Sequence, residues 1–132
     1  HDGMETTKKL AQDDFTGLCF VNLVDFDAMY GHRRDSLGYR NAMQEFDADL
    51  STLLPLLRDD DLLMITADHG NDPTHTGTDH TREYVPLFLF NNLLNGGILP
   101  VGDTFADVGA TVAEIFNVPQ TRYGKSLLRA LR

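Results

Sequence analysis

The chain has 132 residues, 42% hydrophobic and 23% charged, with a net charge of −9 and a pI near 4.7. That length suffices for one domain with a hydrophobic core. The acidic balance excludes nucleic acid or an anionic membrane as the main partner, because each wants a basic face. A phosphate substrate is not excluded, since bound metal ions invert the local sign. Cys19 is the single cysteine, so there is no disulfide framework and no thiolate zinc site. It reads as a small packing residue in a buried strand. No apolar run is long enough to span a bilayer, and nothing resembles a signal peptide. A cytoplasmic location is therefore the default expectation. The chain opens "HDGMETT" without a methionine at position 1 and reads as a piece of a longer protein, with His1 expected to be unstructured.

"METTKKLAQ" suits a helical turn or two. Leu18 to Phe26, "LCFVNLVDF", is nearly continuous in apolar residues and predicts a strand buried on both faces. A polar stretch, "DFDAMYGHRRDS", follows it. Ser36 is the expected N-cap of a long amphipathic helix, with Leu37, Met43, Phe46, Leu50, Leu53, Leu54 and Leu57 at mostly helical spacing. Pro55 should kink that helix or start a fresh turn. "LLMITA", Leu62 to Ala67, predicts a second buried strand. "YVPLFLFN" predicts a third, with Pro86 near its start. "TFADVGATVAEIFNV" predicts a helix capped by Thr104, and "GKSLLRALR" a short terminal helix. The order strand, helix, strand, long loop, strand, helix implies an α/β layered sandwich with a mostly parallel sheet.

Two polar strings follow expected strand ends, where open α/β sheets place their ligands. One holds Asp27 and His32. The other, "ITADHGNDPTHTGTDHTREYVP", holds Asp68, His69, His75, Asp79 and His80. Carboxylates and imidazoles together suit divalent ions such as manganese or zinc. Asp27, Asp68, His32, His69 and His80 are more than one metal usually takes. Two metals sharing the site is a reasonable arrangement, and metal pairs about 3.5–4 Å apart recur in phosphoryl transfer. Each residue also has a plainer role. Asp68 suits a turn acid, His69 a surface histidine, and Asp79 a solvated loop acid. Asp25 suits a structural place or one behind the ligands. Asp72 suits a loop cap or the orientation of a ligand histidine. His75 reads equally as surface. Arg33 and Arg34 suit either a phosphate grip or salt bridges to nearby acids. Met29 and Tyr30 suit packing. Thr66, Thr74, Thr76, Thr78 and Thr81 show no nucleophile signature. On spacing alone a metal site is the stronger reading, with its reaction open.

At these residues the sequence resembles a known family. "NLVDFDAMYGHRRD" with "ITADHGNDPTHTGTDHTREYVPL" is similar to the C-terminal part of bacterial phosphopentomutase, of the alkaline phosphatase superfamily. The resemblance runs from about Phe20 to the C-terminus. It implies an alkaline-phosphatase-like core that residues 1–132 fill only in part, with the cap domain and an upstream core segment absent. It implies interconversion of (deoxy)ribose 1-phosphate and (deoxy)ribose 5-phosphate through a phosphothreonine and two Mn²⁺ ions. Glucose 1,6-bisphosphate is implied as a possible activator. By motif, Asp27, His32 and His80 correspond to the ligands of one Mn²⁺, and Asp68 and His69 to ligands of the other. His75 is left as a bystander.

The sequence departs from the family in one respect. The nucleophilic threonine and a further aspartate ligand are expected upstream of these residues, so this chain alone is not expected to be catalytically competent. Two other readings stand beside the resemblance. Cofactor-independent phosphoglycerate mutase, a relative, shares "ADHG" but differs before its histidine. A silent metal-binding domain is the other, and it gives no chemical reason to keep all five ligands.

Overall fold

The computed structural model describes residues 2–131. His1 and the final residue of the expected terminal helix, Arg132, lie outside the described residues. The chain divides into two compact units, one ending at Asn92 and the other beginning at Leu93.

In the first unit, helix α1 spans Asp2–Leu10. Asp2 and Glu5 lie in its first turn and Lys8 and Lys9 in its last, which complements the helix dipole at both ends. Met4 is its buried residue. Lys8 reaches Asp49 of the next helix, Nζ to Oδ1 2.7 Å, and Glu5 at 3.0 Å.

The strand expected over Leu18–Phe26 does not form. Residues 18–23 have no regular structure, Phe20 is 85% exposed, and Cys19 is exposed rather than buried. An apolar run becomes a strand only where a neighbour supplies ladder bonds and other layers cover its faces. Among the described residues the one ladder lies elsewhere. The polar residues that follow do take regular form: Phe26–Gly31 is a turn of π-helix. Such wide turns are rare and occur often at functional sites. The Phe26 ring packs against Tyr39 at 5.5 Å and edge-on against Phe46 at 6.0 Å.

Helix α2 spans Ser36–Leu53. Its cap is Asp35, not Ser36: the Asp35 carboxylate accepts from the Gly38 N–H at 2.9 Å. An acid at that position satisfies an unpaired helix donor and meets the positive end of the dipole. Leu53 is buried at 2% exposure, whereas Leu37 and Met43 of the expected apolar stripe are exposed. Pro55 ends the α-helix as expected, and Leu54–Leu56 continue as a 3₁₀ turn.

Strands β1 (Leu63–Thr66) and β2 (Leu87–Phe90) pair antiparallel, with Leu63 opposite Phe90 and Thr66 opposite Leu87. The mostly parallel sheet expected from element order is thus corrected to a two-stranded antiparallel one among the described residues. The connection, residues 67–86, contains no helix. A parallel pair needs a crossover, while an irregular loop can bring the chain back antiparallel. Pro86 sits just before β2, where its missing N–H costs no ladder bond.

In the second unit, helix α3 spans Ala106–Ile115 and buries Asp107, Ala110, Thr111 and Ala113. Thr104 Oγ1 accepts from the Ala106 N–H at 3.2 Å, so the threonine serves the helix start from just outside it. The expected short terminal helix takes the form of a 3₁₀ turn over Leu128–Leu131. No helix among the described residues is long and apolar enough to cross a membrane.

Candidate metal centre

The first unit builds its polar site from two segments far apart in sequence. The π-turn and the residues after it carry Asp27 and His32. The loop leaving the carboxyl end of β1 carries Asp68, His69 and His80.

Asp27 lies where both segments meet. Its Oδ2 is 3.3 Å from His32 Nε2, and its Oδ1 is 3.4 Å from His80 Nε2. The two imidazoles face each other, Nε2 to Nε2, at 3.1 Å. His69 stacks on His80, with ring centroids 3.6 Å apart and planes 18° from parallel. Ligand atoms of Asp27, His69 and His80 all lie within 4.8 Å of one another, close enough to share one cation. His32 adjoins this group through Asp27 and His80. Asp68 does not: its carboxylate is 91% exposed, and its nearest imidazole contact is His69 Nε2 at 3.7 Å.

The hydrogen-bond chemistry shows what this arrangement lacks. His32 Nδ1 lies 2.5 Å from the Thr78 carbonyl oxygen. A carbonyl only accepts, so Nδ1 is the nitrogen that donates there, and Nε2 is the one turned toward Asp27 and His80. His69 Nδ1 faces the Gly70 carbonyl at 3.2 Å in the same sense. Imidazole nitrogens and a carboxylate therefore converge, the set of atoms a cation could share. A histidine that donates its other N–H to a backbone carbonyl is the usual second contact of a metal ligand. The residues present fit a divalent ion that accepts nitrogen and oxygen ligands. His75 makes a similar bond, to the Thr76 carbonyl at 2.7 Å, but belongs to no such cluster among the described residues.

Asn71 Nδ2 donates to Asp27 Oδ1 at 2.9 Å. Burial raises the Asp27 carboxyl pKa. The Asn71 bond and the charges of His32, His80 and His69 outweigh that, and leave it below the usual aspartate value. The group is thus ionised, as a ligand must be. Two glycines permit the approach. A Cβ on Gly31 would meet Asn71 Nδ2 at 2.5 Å, and one on Gly70 would meet the Glu83 backbone nitrogen at 2.6 Å. The second collision is with backbone, which cannot swing away.

The loop is closed on itself as well. Asp72 accepts from Thr74 through both its N–H (2.8 Å) and its hydroxyl (2.7 Å), while Asp72 N–H donates to Thr81 Oγ1 at 2.7 Å. These make Asp72 a loop cap, one of the two roles its sequence position suits. Asp25 precedes the π-turn and makes no capping bond to it.

Arg34 is used differently from either role its sequence suggests. Its guanidinium donates to Asn71 Oδ1 (2.6 Å), to the carbonyls of Asp72 (2.7 Å) and Gly77 (2.5 Å), and to the Asp79 carbonyl. Its partners are loop carbonyls and an amide, not carboxylates. The roles of Asn71 and Arg34 escape sequence reasoning, because each joins the loop to the segment around the π-turn, and no local pattern encodes the path of that loop. The only signal was position: Asn71 stands inside "DHGND" and Arg34 directly follows "GHR".

A family description, the Metalloenzyme superfamily, matches residues 1–120.

Proposed function

The chain belongs to the Metalloenzyme superfamily, and from that premise we propose that it is the metal-bearing part of a phosphopentomutase. The reaction would interconvert (deoxy)ribose 1-phosphate and (deoxy)ribose 5-phosphate. The observation that carries this reading is the meeting of "DFDAMYGHRRD" and "ADHGNDPTHTGTDH" at one point, with Asp27 within 3.4 Å of both His32 and His80. These are the strings on which the resemblance rests.

In this reading Asp27, His32 and His80 hold one Mn²⁺, and Asp68 and His69 contribute to a second. Bound there, the two ions supply positive charge that neutralises a transferring phosphoryl group and lowers the pKa of an attacking hydroxyl. The chain's own residues supply fixed geometry. His32 and His69 are held by carbonyls in the tautomer that ligates, and Asp27 is kept ionised by Asn71. Asp68, exposed and 3.7 Å from His69 Nε2, would turn toward the second ion. The phosphoryl-carrying threonine is assigned to the parent protein outside these residues, so the activity belongs to that parent. Glucose 1,6-bisphosphate is the expected activator, as a donor that would phosphorylate that threonine.

The test is Mn²⁺-dependent conversion of ribose 1-phosphate to ribose 5-phosphate by the full-length parent, with 3-phosphoglycerate in parallel. Turnover of the pentose phosphate, abolished by Asp68→Ala and by His80→Ala, is expected. Turnover of phosphoglycerate alone, or of neither, would overturn the substrate assignment. Full activity in either variant would overturn that residue's place as a ligand.

A further inference from the structure

Three successive carbonyls of the loop, those of Gly77, Thr78 and Asp79, are taken by two side chains of the tripeptide His32-Arg33-Arg34. Arg34 takes the first and third, and His32 the second. The next residue in the chain is His80. The same guanidinium holds Asn71 Oδ1 at 2.6 Å, and Asn71 in turn holds Asp27 Oδ1 at 2.9 Å. One cation thus fixes the neighbour of one metal-competent side chain and the hydrogen-bond partner of another.

The backbone of Arg34 supports this use. Its φ is +55°, the left-handed region that few residues other than glycine occupy. Arg34 N–H bonds back to the Gly31 carbonyl at 3.1 Å, and the Asp35 N–H to the Tyr30 carbonyl at 3.0 Å. The residue is pinned at the junction between the π-turn and α2 and points across to the loop.

Resting on the metal-site reading above, we infer that Arg34 is a positioning residue for the metal centre. It sets the distance between Asp27 and His80 by holding Asn71 and the carbonyls before His80. It does not touch the metal, since a guanidinium has no lone pair to give. Its planar fork can meet several oxygens at once, which an ammonium cannot reproduce.

The sign of one measurement separates this from a charge effect. On electrostatics alone, removing a cation beside the centre tightens binding of a second cation. Positioning requires the opposite. In the full chain, calorimetric titration with Mn²⁺ should show Arg34→Gln weakened on the order of tenfold or more, the loss typical of residues that orient ligands. Arg34→Lys, which keeps the charge and loses the fork, should not restore it. In the metal-free protein, amide hydrogen exchange of residues 72–80 should quicken in both variants while exchange in α2 stays unchanged.

Unchanged or tighter Mn²⁺ binding in Arg34→Gln, or rescue by lysine, would overturn the inference. Loss of the whole fold in both variants would overturn it too, by making Arg34 a residue of the fold rather than of the site. If the unaltered chain binds no Mn²⁺, the metal reading fails on its own. Local quickening of exchange then still supports the clamp, and its absence removes it.

Discussion

Two aspartates, one in each unit, are surrounded in opposite ways. Asp107 on α3 is buried, and its environment is made of donors. Its Oδ1 accepts from the Lys125 N–H at 2.8 Å, and its carbonyl accepts from Thr111 Oγ1 at 2.6 Å. The same Thr111 hydroxyl accepts from the Leu127 N–H at 2.9 Å. Asp27 is half-exposed and meets ring nitrogens as well as one amide donor. Asn71 gives it one N–H, while the nearest atoms of His32 and His80 are ring nitrogens with no fixed proton. The first acid is satisfied by the protein and ties a terminal segment to a helix. The second sits among imidazole nitrogens that could share a cation with it. Charge does not tell these two apart; burial and the groups turned toward each carboxylate do.

The sharpest way to break that contrast is to remove both carboxylates in turn. Asp27→Ala should lower Mn²⁺ affinity on the order of a hundredfold by calorimetry, since it deletes the carboxylate that His32 and His80 both adjoin. Its melting temperature should change little. If the variant keeps full affinity, Asp27 is not a ligand and the contrast dissolves. Asp107→Ala should do the reverse, costing about 1–3 kcal/mol in chemical denaturation by leaving buried donors unpaired, with Mn²⁺ affinity unaltered. A neutral result there would reduce the Asp107 network to ornament.

Lys8 offers a third environment, an ion pair between α1 and α2. The hydrogen bond to Asp49, then that to Glu5, raises the Lys8 pKa above its ordinary value. A raised folded-state value means the pair stabilises fully below the ordinary lysine pKa and fades as pH climbs through the raised one. Melts of the parent sequence and Lys8→Met from about pH 8 to about pH 11.5 should therefore converge at the alkaline end. A gap that stays constant with pH would assign the effect to packing of the lysine stem. The smallest effect is expected at His75. His75→Ala should change Mn²⁺ affinity by less than about twofold, because its bond closes only on the adjacent Thr76. A large loss would show that holding Nδ1 on a carbonyl is enough to make a histidine part of the centre.

Much of the site is legible in the chain because its chemistry resides in side-chain types. Asp27, His32, His69 and His80 stand out as carboxylate and imidazole near glycines, whatever the fold does with them. The long helix was equally legible, since its apolar spacing and Pro55 act within a few residues. The strand over Leu18–Phe26 was misread because an apolar run specifies that it wants burial, not that a neighbouring strand exists to pair with it. Sheet direction was misread for a related reason. Element order suggests a crossover only if the intervening segment is helical, and residues 67–86 are loop.

What the sequence determined by itself is therefore the side-chain types that could ligate and the long amphipathic helices, both of which depend on residue identity and short spacing. Only the tertiary structure decided which of those atoms meet. Asp27 and Asn71 are 44 positions apart, and Arg34 and Asp79 are 45. The Asn71 contact joins two side chains that only the fold brings together, and the Asp79 contact runs through a backbone carbonyl of the kind every residue carries alike. Such oxygens have no signature in a sequence and gain a role only when the chain's path turns them toward a donor.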